Sequence, residues 1–253
     1  MTQSLHAVLH GTGNYRYLPA VEPYSSGVAV EKRFQIVALT FADPQPVEAG
    51  FQRLDAELRA WGLPATALVG LELLSPQPVD LSAFDAFNQT YRRLLAERGL
   101  LEGDVNPIAR TNVCPVQNAP ENPVVQTAFV VQPAAGKGGS DFVVAGCGEL
   151  IGGLTEAHIV ALGELGQDGL RKKSNAVLDA VVARIEALGA TGQDPNVVNV
   201  YTAHEVDGLS QLVTTRLPGA ARFGFVQRYA RPPVTDVEFE MDCRHISRWE
   251  LLE

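Results

Sequence analysis

The chain is poor in cysteine. Its three, Cys114, Cys147 and Cys243, are far apart and odd in number among 253 residues, so no disulfide framework is expected. It is also short of positive charge: 20 Lys and Arg stand against 29 Asp and Glu, a net charge of −9. That excludes a phosphate-backbone binder, which takes a dense Lys/Arg footprint, so no nucleic-acid partner is expected. The one short basic run, Arg171-Lys172-Lys173, reads as a solvated helix face. No apolar run approaches the roughly 18 residues of a membrane span, so no membrane partner is expected either. No basic start followed by an apolar core reads as a secretory leader. The expectation is a soluble, cytoplasmic protein. His-Glu-x-x-His, Gly-x-Ser-x-Gly and Walker patterns are missing. Cys243-Arg244-His245 brings two metal-ligand types together, but without a second pair at zinc spacing, so no metal site is expected.

What is present is an ordinary globular composition, 46% apolar and 19% charged, long enough for one large domain or two of about 120 residues. A strand is expected over 34–41. A helix follows, with Val47, Phe51, Leu54, Leu58 and Trp61 on one face. Another strand covers 65–74, and a second helix carries Phe84, Phe87, Tyr91 and Leu94, ending by Gly99. Two strands, around Arg110 and Gln126, close the half. Residues 134–140, rich in Gly and small side chains, read as a linker between units 1–133 and 141–253. The second unit repeats the order: a strand pair or hairpin entry over 141–150, a helix over 170–188, a strand over 197–202, a weaker helix over 204–217, then strands around Arg222 and Glu238. Helices on one face of a mixed sheet make this an α+β plan.

The repeat extends to chemistry. Ala109-Arg110-Thr111 is followed sixteen residues after its Arg by Gln126, and Ala221-Arg222 is followed at the same interval by Glu238. A guanidinium fork matches a carboxylate, and a carboxylate beside a water can act as its base. An amide such as Gln126 can orient water but cannot take its proton. Glu238 and Glu240 alternate with Val237 and Phe239, so both leave the apolar side of a strand, toward solvent or toward a site. Cys114 and Cys147 read as nucleophiles or as small buried hydrophobes. The glycines flanking Cys147, Gly146 and Gly148, would let a ligand come close.

These residues resemble the RidA/YjgF family. Pro19-Ala20-Val21-Glu22-Pro23-Tyr24-Ser25-Ser26-Gly27-Val28 is similar to its Pro-Tyr opening, Asn88-Gln89-Thr90-Tyr91 to its Asn-x-x-Tyr helix, Ala109-Arg110-Thr111 and Ala221-Arg222 to its Ala-Arg-Ser/Thr strand start, and Val237-Glu238-Phe239-Glu240 to its closing strand. The resemblance covers nearly the whole chain as two tandem copies. It implies a chorismate-mutase-like α+β fold in each, with two helices on one face of a mixed sheet. It further implies cofactor-free hydrolytic deamination of a small carboxylate-bearing enamine or imine, and a homo-oligomer, with a trimer favoured. On that pattern Arg222 and Glu238 are catalytic. Arg110, Tyr24, Asn88, Gln126, Cys147 and Arg231 bind substrate, in sites that can be shared between copies. The run from Phe225 through Arg231-Pro232-Pro233 to Glu240 also resembles the end of chorismatases. A non-catalytic carboxylate binder and a chorismatase-like or other pathway-specific hydrolase therefore stay open as alternatives.

Overall fold

The chain opens with three short strands, β1 (Val8–Leu9), β2 (Tyr15–Tyr17) and β3 (Gly27–Val30). The computed structural model describes residues 5–20 and 22–253; Val21 of the opening segment and the first four residues lie outside them. The long strand β4 (Phe34–Pro46) leads into α1 (Val47–Ala60), which buries Phe51, Leu54 and Leu58, the stripe its spacing predicts. After β5 (Leu68–Leu74), α2 (Leu81–Ala96) starts where the Asp80 carboxylate accepts the Ala83 amide at 2.8 Å. Gly99 follows its end with φ of 66°, a conformation that glycine takes without strain. β6 (Ala109–Pro115) and β7 (Val124–Pro133) complete the half.

The second half runs β8 (Phe142–Gly148), α3 (Gln167–Ala187), β9 (Val197–Thr202), α4 (Leu209–Arg216), α5 (Pro218–Phe223), β10 (Val226–Arg228), β11 (Ala230–Arg231), β12 (Phe239–His245) and β13 (Arg248–Leu252). Two mixed sheets result, in the orders β11-β6-β5-β7-β4-β13 and β1-β2-β3-β8-β12-β9-β10. Their cores match strand for strand. β6-β5-β7-β4 corresponds to β10-β9-β12-β8, each with one parallel pair bridged by helix. The edges are exchanged. β3 of the first half pairs with β8, while β13 and β11 of the second half pair with β4 and β6. The sheets therefore do not divide at 134–140. That segment is a loop pinned to the β3–β4 turn, with Ala134 N donating to Arg33 O and Gly139 N to Phe34 O.

The architecture is four layers. Phe51, Leu54, Tyr91 and Leu95 of the first two helices cover Val37, Leu71 and Val130 on one outer face. Val177, Val181, Ile185 and Val213 cover Val200, Phe239 and Met241 on the other. Between the sheets lie Tyr15, Val28, Ile36, Val69, Phe129, Val143 and Ile246. Each such fully buried side chain contributes about 1.5–3 kcal/mol of transfer free energy. The fold is α+β, with two mixed sheets and helices on one face of each. No helix among the described residues is long and apolar enough to cross a membrane.

Three expectations are corrected. Arg222 opens no strand. It lies in α5, where Pro218 in the first turn and Ala220 and Ala221 after it favour helix, and the strand standing where β6 does in the other half is β10. Residues 141–150 hold one strand, β8, rather than a pair. The basic run is not wholly solvated. Lys173 falls on the same helical face as Leu170 and Val177, is 0% exposed, and donates to Glu149 Oε1 and Val160 O, each at 3.1 Å.

Candidate active site

β6 of one sheet and β8 and β12 of the other enclose a small half-open cleft of about 70 Å³. Arg110 enters it from the second position of β6. Its side chain is buried within an aromatic cage. The guanidinium carbon lies 4.9 Å from the Tyr24 ring centre and 4.8 Å from that of Tyr91, with Phe84 and Phe87 at 5.7 and 5.6 Å. Such faces hold a cation by their quadrupoles. Nη2 donates to Asn88 Oδ1 at 2.8 Å. Nη1 is buried and makes no hydrogen bond. A buried charged donor left open is costly, and an anionic ligand in the cleft would satisfy it.

Glu240, the second residue of β12, faces the same cleft and is 5% exposed. Burial, with Asp242 two residues along, pushes its carboxyl well above the usual carboxylate range; Arg110 and Arg184 oppose this without reversing it. Its carboxyl lies against the backbone of β8. A Cβ at Gly146 would come 2.1 Å from Glu240 Oε1, so glycine here makes room for the acid rather than for a ligand. Gly146→Ala is accordingly expected to displace that carboxyl and lower kcat/KM about tenfold with the fold retained, as steady-state rates and circular dichroism would show.

Two sets of buried contacts hold Glu240 in place. At the start of β12, Glu149 accepts the Glu238 amide at 2.7 Å and the Phe239 amide at 2.9 Å, and is itself paired with Lys173. Two residues past Glu240, Asp242 accepts Thr111 Oγ1 at 2.9 Å, Tyr201 OH at 2.8 Å and Asn199 Nδ2 at 2.8 Å. Thr111 follows Arg110 on β6, so this cluster locks the strand of the guanidinium to the strand of the acid. Arg244 continues the cluster to Glu72. Arg184 of α3 forms another part of the wall, with Nη1 donating to Ala145 O at 3.2 Å.

The structure thus gathers Tyr24, Asn88, Arg110 and Cys147 around one cleft walled by strands of both halves, without the Arg222 and Glu238 of the expected composite site. Cys147 is buried, and burial raises its thiol pKa; Cys114 is pushed up to about 12 by the same cause. Both stay protonated thiols, without the thiolate character of a nucleophile. The other sequence candidates lie elsewhere. Arg222 is exposed, with its guanidinium over the Phe223 ring. Glu238 sits just before β12 and pairs with His204 Nε2 at 2.8 Å. Gln126 faces a second cavity with Glu72, Thr111 and Tyr201, on the opposite side of β6 from Arg110. Arg231 is exposed on β11, although the next residues, Pro232 to Val234, wall the cleft. Glu240, Asp242 and Arg184 carry no separate sequence signal as site residues; for the first two, the alternation after Val237 is the only hint.

A caged guanidinium with an unpaired buried nitrogen thus shares a cleft with an acid whose pKa burial raises, an arrangement suited to holding an anion beside a proton donor. The comparisons with known proteins make this protein an enzyme, a deaminase acting on a C–N bond and releasing ammonia. The chain belongs to the CnbZ family of 2-aminomuconate deaminases, whose family model matches residues 7–250. It is 36% identical over 251 residues to 2-amino-5-chloromuconate deaminase of Comamonas testosteroni, covering 97% of this chain and 99% of that one. Among solved structures it is similar to a chorismatase, at 10% identity and a TM-score of 0.49 over 96% of this chain and 80% of that one. It is also similar to the YjgF gene product of E. coli, at 18% identity and a TM-score of 0.27 over 46% of this chain and 91% of that one.

Proposed function

We propose that the chain hydrolyses a small enamine or imine of the 2-aminomuconate type, and that Arg110 and Glu240, rather than Arg222 and Glu238, carry the reaction. The observation that carries this reading is the unpaired, buried Nη1 of Arg110, a residue that lines the cleft that Glu240 also faces. The substrate carboxylate next to the reacting carbon takes that open donor. Glu240, protonated by virtue of its burial, gives its proton to the enamine carbon, and the nitrogen-bearing carbon becomes an imine. The carboxylate so formed takes a proton from water as the water oxygen bonds to that carbon. Glu240 passes that proton to nitrogen, the C–N bond breaks and ammonia leaves, and the Glu240 carboxylate takes the hydroxyl proton as the carbonyl forms. Enamine and water enter; oxo acid and ammonia depart. Glu240 ends as it began, as a general acid–base group must.

The test is a direct assay of ammonia from 2-aminomuconate generated in the cuvette. One ammonia per dienoate consumed is the expected stoichiometry, at a rate well above the spontaneous one. Loss of the dienoate absorbance at the uncatalysed rate, with the protein present, would refute the reading.

A further inference from the structure

We propose that Arg184 is a second carboxylate anchor and that, together with Arg110, it selects dicarboxylates over monocarboxylates. This rests on the substrate class inferred above and goes further, to the residue that reads the far end of the substrate. The two guanidinium groups reach the cleft from different layers: Arg110 from β6 in the first sheet, Arg184 from the last turn of α3, across β8 of the second. Arg184 is half-buried, and its hydrogen bonds to protein come from Nη1 alone, to Ala145 O at 3.2 Å and Gly146 O at 3.5 Å. Its other donors are left for a ligand, and a guanidinium fork suits a carboxylate. An extended six-carbon diacid carries two carboxylates, one for each of the two guanidinium groups that line the cleft.

Charge balance points the same way. The ionisable side chains that line the cleft are Tyr24, Arg110, Cys147, Arg184 and Glu240. With the acid, thiol and phenol protonated, the cleft is doubly positive. A dianion neutralises it, whereas a monoanion leaves one guanidinium unpaired in a low-dielectric wall.

Calorimetric titration with muconate and with sorbate tests this. The two are the same six-carbon diene, sorbate having a methyl where muconate has its second carboxylate. The wild-type protein is expected to favour muconate by about ten- to hundredfold, as one lost charged hydrogen-bonded contact implies. Arg184→Gln should erase that preference while leaving the sorbate Kd unchanged, and Arg184→Lys should retain part of it. A preference that survives Arg184→Gln, or that is missing from the wild type, overturns the assignment. So does an equal loss of sorbate binding in both variants, because Arg184 would then be supporting β8 rather than meeting a carboxylate. Since binding is read without turnover, a failure of the deamination chemistry would show separately.

Discussion

Glu240→Gln is expected to lower kcat about a thousandfold while carboxylate binding stays within a few-fold of wild type. General acid–base catalysis contributes roughly 10²–10⁴ in rate, and the amide keeps the shape of the side chain but can neither give nor take the proton. Arg110 still presents its open donor in the variant, so muconate titration should change little. Glutamine at 240 with turnover intact would remove the acid from the mechanism. The wild-type rate should fall as pH rises through the raised pKa of Glu240, and the residual rate of the variant should lack that limb.

Stability should move the other way. The folded protein holds a proton on Glu240 that the unfolded chain releases in the ordinary carboxylate range. That group's contribution is therefore lost as pH rises from that range through the folded pKa. The charges that set this are Asp242 and Glu149, which raise the pKa, and Arg110 and Arg184, which lower it. Glutamine has no such loss. At neutral pH the variant should melt a few degrees above wild type, as thermal denaturation would reveal.

Arg110→Lys is the second large effect: a drop in kcat/KM of about a hundredfold, most of it in KM. Lysine keeps the charge but not the planar fork. The native side chain uses one arm on Asn88 and leaves the other open, while its flat face lies against Tyr24 and Tyr91. A compact ammonium cannot hold that amide, stack between the rings and reach the ligand together, and a hydrogen bond to a charged group contributes about 1.5–3 kcal/mol. Muconate and sorbate binding should weaken together, in contrast to Arg184→Gln. A lysine variant with wild-type KM would move the anchor away from β6.

Much of the fold is legible in the chain. The stripes of α1 and α2, the end at Gly99 and the parallel order of strand and helix follow from periodicities and punctuation. The edge exchange is not legible, because β3 and β11 are four and two residues long and pair with β8 and β6, far away in the sequence. At the site, the Pro-Tyr segment, Asn88 and Arg110 are marked by local pattern, and the structure brings them together. The acid is harder to read. Glu238 and Glu240 obey the same alternation, and nothing local distinguishes a carboxylate held by His204 from one sealed between two sheets. Arg222 misleads because Ala-Arg reads equally as a strand opening and as the last turn of a short helix begun at Pro218. Arg184 has no motif, since its role depends on where α3 crosses β8.

The exchanged edges also bear on synthesis. When the first half has left the ribosome, β3 still lacks β8, and β4 lacks β13 along its outer edge. The second sheet reaches its full width only with β12 and the first only with β13, and pairings between such distant segments form slowly. An intermediate with open strand edges is thus built into translation, and those edges are prone to pair with other chains. Shielding of such edges during synthesis is the task that chaperones perform in general.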